Sequence, residues 1–525
     1  MSEAARSWTP GHERQIVTVA RNVGTRYLAI IVETVVGLVM LPFNIAHLGT
    51  AQYGLWMLLG SITTHFSVLD LGYSGALVKF MAQYRAHRNA HALNEIASTL
   101  FFVFLGAGIA AYAIAAGVAF NLEHLFKLTA AQAETGQWLL LIIALHICLN
   151  FPFSVYGGVI SGFQRYDANN VVAVGSSLAV ALVNAAVLLA GYGLIPLVAA
   201  TTFVRICVYF VYRANAYRIY PDLRISLSRF RRHRLREVTG FSVDSSIIDW
   251  ANKLNYQLDT LVIGAFLGSS AVAVWAPAER IISGTQRLTN QLNGVLFPVV
   301  VDSDATSQQQ RLQQILLQGT RLSLAMVVPI AAALVLLADP LVHAWLGPRA
   351  PALAGAIPVI QILAVAVAIR VGNATGTTLL KGAGQHRLLA FVNLGTGVAN
   401  VALSIALIRP LGLVGVAIGT LVPIGISAVF ILFPASCRRA GLTVWRAALH
   451  AVVPALWPAL VVGGGLALTR LISSGTLLAV VVQAAAAGVA YLALFFAVAI
   501  GRGDRALYMA KAAELLGRRR LVSAA

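Results

Sequence analysis

The chain has 525 residues, of which 58% are hydrophobic and only 11% charged, with a formal net charge of +19. Soluble domains carry about 25% charged residues, so this composition, with a mean hydropathy of +0.79, excludes a soluble fold and implies an all-α polytopic membrane protein. Three cysteines, Cys148, Cys207 and Cys437, have no metal-ligand spacing and define no disulfide framework.

The chain opens with a polar, Arg-containing segment that lacks a small-residue cleavage site. The first apolar stretch is therefore expected to be a retained span rather than a signal peptide. Windows of about 20 apolar residues predict fourteen spans: 27–47, 54–77, 97–120, 138–160, 170–191, 194–212, 238–267, 271–299, 322–345, 352–380, 388–408, 411–435, 447–469 and 476–500. Gly191-Tyr192-Gly193 alone separates the fifth from the sixth, which predicts a tight helical hairpin. With the N-terminus inside, 29 of the 38 Lys and Arg fall on the cytoplasmic side and 4 outside. That asymmetry is the positive-inside pattern. It predicts cytoplasmic N- and C-termini and accounts for the net charge without a nucleic-acid partner.

An internal repeat orders these spans. Leu48-Gly49 and Trp56 recur as Leu267-Gly268 and Trp275, and Gly193-Leu194 and Thr201 recur as Gly412-Leu413 and Thr420, all at an offset of 219 residues. One offset across six helices predicts two six-helix lobes of like orientation, 27–212 and 238–435. Around them lie a cytoplasmic N-terminus 1–26, a basic linker 213–237, two extra helices in 436–500 and a basic tail 501–525. The linker carries eight Arg interleaved with Leu223, Leu227, Phe230 and Leu235. It is either a topogenic segment or one that lies on anionic lipid headgroups; the tail 503–520, a short basic amphipathic stretch, reads the same way.

Polar residues inside apolar spans mark function, because lipid penalises each charge by about 2.5–3.5 kcal/mol on insertion scales. In Val238–Leu267, Ser242, Ser245, Asp249, Asn252/Lys253, Tyr256 and Asp259 share one helix face, and Asp244 lies in the same span. The next span repeats the pattern with Glu279/Arg280, Ser283, Gln286/Arg287, Asn290 and Asn293. Such faces must look into protein or water, which points to a transporter. The cations Lys253, Arg280 and Arg287, with Arg370 as a further choice, suit an anionic substrate, since guanidinium groups match phosphate oxygens. Alternatively they pair with Asp249, Asp259 and Glu279 to hold helices together; Lys253 follows Asp249 by one helical turn. Glu33, Asp244, Asp249, Asp259 and Glu279 are candidates for proton or Na⁺ coupling. Asp70 reads as a turn residue in Asp70-Leu71-Gly72-Tyr73. His146 is expected to be a packed polar residue, and Arg205 to snorkel toward the inner face.

Arg21-Asn22, Leu41-Pro42-Phe43, Leu48-Gly49, Tyr53-Gly54-Leu55-Trp56 and Leu69-Asp70-Leu71-Gly72 resemble the start of bacterial polysaccharide (oligosaccharide-lipid) flippases. These belong to the multidrug/oligosaccharidyl-lipid/polysaccharide exporter superfamily. Leu258-Asp259-Thr260, Gly264, Leu267-Gly268 and Glu279-Arg280 continue the resemblance. It implies a two-lobed bundle with a cavity lined by helices 1, 2, 7 and 8. It also implies translocation of an undecaprenyl-diphosphate-linked oligosaccharide to the outer leaflet of the inner membrane, for O-antigen, capsule or exopolysaccharide, with a polymerase or export machinery as partner. No cofactor is implied.

Two other readings compete. A multidrug antiporter of the same superfamily would favour a cavity dominated by acids, whereas acids and cations are mixed here. A glycan polymerase or glycosyltransferase would expose a large outer loop with acids and Arg. The longest outer loop, 121–137, carries only Glu123, Lys127 and Glu134 as charges. No Gly-x-x-x-x-Gly-Lys-Ser/Thr loop for nucleotide phosphates is present.

Overall fold

The computed structural model describes residues 12–240, 242, 258–469, 475–500 and 505. They are mostly helical, without a strand among them. The principal helices are α1 His12–His65, α2 Tyr73–Ala86, α3 Ala90–Ala119, α4 Ala130–Gly162, α5 Tyr166–Leu189, α6 Leu194–Ile219, α7 Asp259–Phe266, α8 Ser269–Ala305, α9 Gln309–Leu346, α10 Ala356–Gly372, α11 Ala374–Gly382, α12 His386–Ile426, α13 Phe433–Arg439, α14 Val453–Thr469 and α15 Leu477–Leu494.

Ten helical stretches among the described residues are long and apolar enough to cross a membrane. Three of them are broken by glycines with positive φ, Gly49 (76°), Gly347 (56°) and Gly412 (58°). The span expected at 238–267 lies mostly outside the described residues, so the count of fourteen rests on hydropathy. The second span ends earlier than its hydropathy suggests. Helix α1 closes at His65, a 3₁₀ turn runs to Asp70, and Leu71 and Gly72 adopt left-handed φ before α2 begins at Tyr73. The reason is a local competition. The Asp70 carboxylate accepts hydrogen bonds from the Ser74 N–H at 3.1 Å and the Ser74 hydroxyl at 2.9 Å, which caps a new helix instead of extending the old one. Other helix starts use the same chemistry. Asn89 caps α3, and Thr129 with Gln132 forms a reciprocal capping box on α4.

The chain divides into two compact units, Met1–Arg280 with Asn393–Gly419, and Ile281–Val392 with Thr420–Ala525. In the first, α3 packs along α4, α4 along α6, and α1 along α5. In the second, α9 is the hub against which α10, α11, α14 and α15 pack. Its cores include Val300, Leu316, Leu379 and Cys437, and a separate group of Leu337, Leu466 and Val480.

The units part inside α8 rather than in 213–237, because that linker is sewn onto the first unit. The buried Asn94 donates to the Asp222 carbonyl (2.9 Å) and accepts from the Arg224 N–H (2.7 Å). Thr99 accepts from the Arg231 N–H at 3.0 Å. The buried Glu95 carboxylate accepts from the guanidinium groups of Arg231 and Arg234, both at 3.2 Å. Arg234 also donates to Tyr84 and Glu237, and the Tyr84 hydroxyl donates to Glu237 at 2.6 Å. The linker is therefore a folded clasp on the start of α3.

The 219-residue repeat is visible in these contacts. Gly268 has φ 87° where Gly49 has 76°. Gln313 donates to the Gly441 carbonyl as Asn94 does to that of Asp222, with both partners displaced by the same offset. The two units do not coincide with the expected lobes 27–212 and 238–435, since the first unit runs on to Arg280 and takes in Asn393–Gly419.

Candidate functional site

The first unit gathers several of the expected polar residues on α1, α7 and the start of α8. Arg280 lies across α1 at Gly37: a Cβ there would sit 3.0 Å from Arg280 Nη1 and 3.3 Å from its Cδ. The absence of a side chain at 37 is what lets the arginine lie flat. Glu33 is one helical turn before Gly37, on the same face of α1, and is half-buried. The Arg280 guanidinium also reaches the hydroxyl of Tyr53, which is 2% exposed and has Glu279 nearby. The Thr260 hydroxyl donates to the Glu279 carboxylate at 3.3 Å, and the half-buried Asp259 opens the same short helix, α7.

The face expected on the eighth span is polar and accessible as far as Arg287; the side chains of Asn290 and Asn293 lie outside the described residues. Glu279 and Arg287 are exposed and Arg280, Ser283 and Gln286 half-buried, while Ala278, Ile282, Thr285 and Thr289 on the other side are buried. Arg287 belongs to the second unit, as does Arg370, half-buried in the last turn of α10. Lys253, Asp244 and Asp249 lie outside the described residues. Thus Arg280, Glu279, Asp259 and Glu33 come from one unit, and Arg287 and Arg370 from the other. Among the described residues no cluster of His, Cys, Asp or Glu could hold a metal ion.

Three participants went unnoticed in the sequence as site residues. Gly37 carries no chemical signal, and Thr260 looks like any helix-starting threonine. Tyr53 stands in a singled-out motif, Tyr53-Gly54, whose architectural part is now clear. A Cβ at Gly54 would meet the Ser269 carbonyl oxygen at 1.8 Å, so only glycine admits the start of α8 there. Asn22 of the Arg21-Asn22 pair is likewise architectural. It donates to the Gln164 carbonyl and accepts from the Asp167 N–H, tying α1 to the turn between α4 and α5.

The second unit contains a large apolar cavity of about 960 Å³. Leu324, Val328, Ile369, Phe433, Leu456 and Leu460 are among its walls, and Thr320 and Asn373 are its polar ones. Such a lining suits hydrocarbon and offers almost nothing to a charged group.

Apolar helices of spanning length with polar and charged side chains inside them are the architecture of a multi-pass membrane protein. The chain belongs to the family described as polysaccharide biosynthesis protein, whose model matches residues 47–349. It is similar to the probable flippase AglR of Haloferax volcanii, at 21% identity over 78% of this chain and 82% of that protein. It is also similar to the succinoglycan biosynthesis transport protein ExoT of Rhizobium meliloti, at 28% identity over 30% of this chain and 32% of that one. Its fold resembles the lipid II flippase MurJ in an inward closed conformation (TM-score 0.67, 12% identity, 92% of this chain and 99% of that one). It also resembles an inward-facing MATE multidrug transporter of the MOP superfamily (0.61, 15%, 81% and 98%). These relatives carry the names of flippases and transporters, not of enzymes, and the chain shares the fold of the last two.

Proposed function

We propose that the chain is a secondary flippase that moves an undecaprenyl-diphosphate-linked oligosaccharide from the cytoplasmic to the outer leaflet of a bacterial inner membrane, with both termini cytoplasmic. The observation that carries this reading is Arg280, a cation in an apolar span, laid over Gly37 beside Tyr53 and Glu279. A diphosphate crossing a low-dielectric region needs its charge compensated, and a guanidinium does so with several directed donors. Arg287, Lys253 and Arg370 would supply further stations for the same anion. The polyprenyl chain needs hydrocarbon rather than charge, and the apolar cavity of the second unit is suited to it. Glu33, Asp244, Asp249, Asp259 and Glu279 are the groups through which protons or Na⁺ would couple transport to the membrane potential, worth about 2.3 kcal/mol per charge per 100 mV. The product would feed a polysaccharide polymerase or export machinery making O-antigen, capsule or exopolysaccharide. A cation antiporter fits less well, since the site balances Glu279 with Arg280.

The test is complementation of a strain lacking its own polysaccharide flippase. Wild type should restore surface glycan, and Arg280→Ala should fail to do so at normal membrane levels. Full glycan with Arg280→Ala would remove the diphosphate role of Arg280, and no glycan with wild type would remove the flippase reading.

A further inference from the structure

Arg205 stands deep within its span. It is the twelfth residue of α6, which has 26, and eight residues before Arg213, the first basic residue of the linker. That interval is about 12 Å of helix, more than a side chain spans. Its direction is equally informative. At about 100° per residue, Val198, Thr201, Tyr209 and Ala216 all lie within about 40° of it around the axis, and they are 1%, 5%, 7% and 0% exposed. Phe203 and Phe210, on the opposite side, are 67% and 52% exposed, as lipid-facing residues would be. Arg205 thus stands at the centre of the protein-facing side of its helix, yet the residue itself is exposed. A packed face that leaves an arginine accessible at mid-span borders a space that water or a ligand can enter, because the same charge in lipid would cost several kcal/mol.

The surroundings are built for an oxyanion. Tyr209, one turn further on α6, shares a 2.7 Å hydrogen bond between its hydroxyl and His146 Nε2 of α4, and the two rings stack with centroids 5.5 Å apart. Phe153 stacks on Tyr209 as well, at 5.5 Å. Both His146 and Tyr209 feel the charge of Arg205. Tyr212, the next residue on this face, is close to Glu33 of α1. Among the described residues no carboxylate forms an ion pair with Arg205. The tyrosines and the histidine can align a hydroxylated or anionic ligand, but they cannot neutralise the guanidinium.

We propose that Arg205, with Tyr209, His146 and Tyr212, forms a second anion-binding station in the first unit, taking an oxyanion of the transported headgroup, either its diphosphate or an acidic sugar. The inference rests on the flippase reading and adds a residue to it. Arg205 supplies charge-assisted donors, and the Tyr209–His146 pair holds the wall against which the ligand rests.

The experiment is ligand binding to the full chain in nanodiscs of zwitterionic lipid, with farnesyl diphosphate, farnesol and glucuronate as probes. Arg205→Gln, Arg205→Lys and Tyr209→Phe are compared with wild type, and thermal melting checks that each is folded. Arg205→Gln should weaken one of the two anions about tenfold, roughly the worth of a charge-assisted contact, and leave farnesol unchanged; Arg205→Lys should recover most of the loss. Weakening of farnesyl diphosphate assigns the station to the carrier, and of glucuronate to the glycan. Equal anion binding by wild type and Arg205→Gln overturns the station alone. If wild type prefers neither anion over farnesol, the flippase reading falls and the station with it.

Discussion

Arg280 owes its position to a residue with no chemistry of its own. Because Gly37 is bare, the guanidinium lies against the α1 backbone and reaches Tyr53. Position 37 should therefore control transport without any change of charge. Gly37→Leu would drive its side chain into Arg280, whose nearest atom is already 3.0 Å from an ideal Cβ. It is expected to lower surface glycan in the complementation strain toward the level of Arg280→Ala, at normal protein abundance. Gly37→Ala should lie between, since a flexible arginine tip can yield a few tenths of an ångström. Unchanged glycan in Gly37→Leu would mean that the arrangement over α1 is dispensable. The charges at 279, 280 and 287 were legible from hydropathy alone, because an ionised group in an apolar run is costly wherever the chain folds. Gly37 was not legible, because its role is defined by a residue 243 positions away.

At the scale of elements, the linker clasp has a pH dependence with a definite sign. Burial by itself would raise the Glu237 carboxyl. The hydrogen bonds from Tyr84 and Arg234 and the positive charge of Arg234 outweigh it, holding the group below the ordinary carboxylate range. Tyr84 is pushed the other way, up to about 12, by burial and then by its bond to Glu237. A carboxyl depressed in the folded state contributes stability that is present above its unfolded value, about 4.3, and lost as pH falls through the folded one. Hydrogen exchange of 220–237, corrected for intrinsic rate, should hence be slow and flat from neutral pH down to about 5 and accelerate below about 4. Glu237→Gln should weaken that acid response, whereas Glu95→Gln should loosen the linker already at neutral pH by about 1–3 kcal/mol, the worth of charged hydrogen bonds. An acid response that persists undiminished in Glu237→Gln would assign it to another group. The second unit closes its equivalent end differently, with Arg439 paired to Asp304 and Gln309 donating to the Arg439 carbonyl.

For the whole molecule, charge placement implies an orientation that labelling can test. In a background without Cys148, Cys207 and Cys437, a cysteine replacing Ala130 should react with an impermeant maleimide on intact cells. One replacing the exposed Arg232 should react only after the membrane is opened. The reverse pattern would invert the topology. Neither substitution touches the polar site, so surface glycan should persist in both.

The helical, membrane-spanning character of the chain, the 219-residue repeat and the polar start of its eighth span were readable in the sequence, because hydropathy and periodicity are local properties that each segment carries with it. So was the turn at Asp70, since an acid two residues before a glycine signals a cap wherever it occurs. Contacts between distant residues had no such signal. Nothing in the basic run 213–237 announced that two of its arginines close on the buried Glu95. Likewise, only the burial of its neighbours showed that Arg205 stands on the side of α6 that faces protein. The physical reason is common to both cases. A charge costs what its surroundings make it cost, and those surroundings are assembled from segments distant in the sequence.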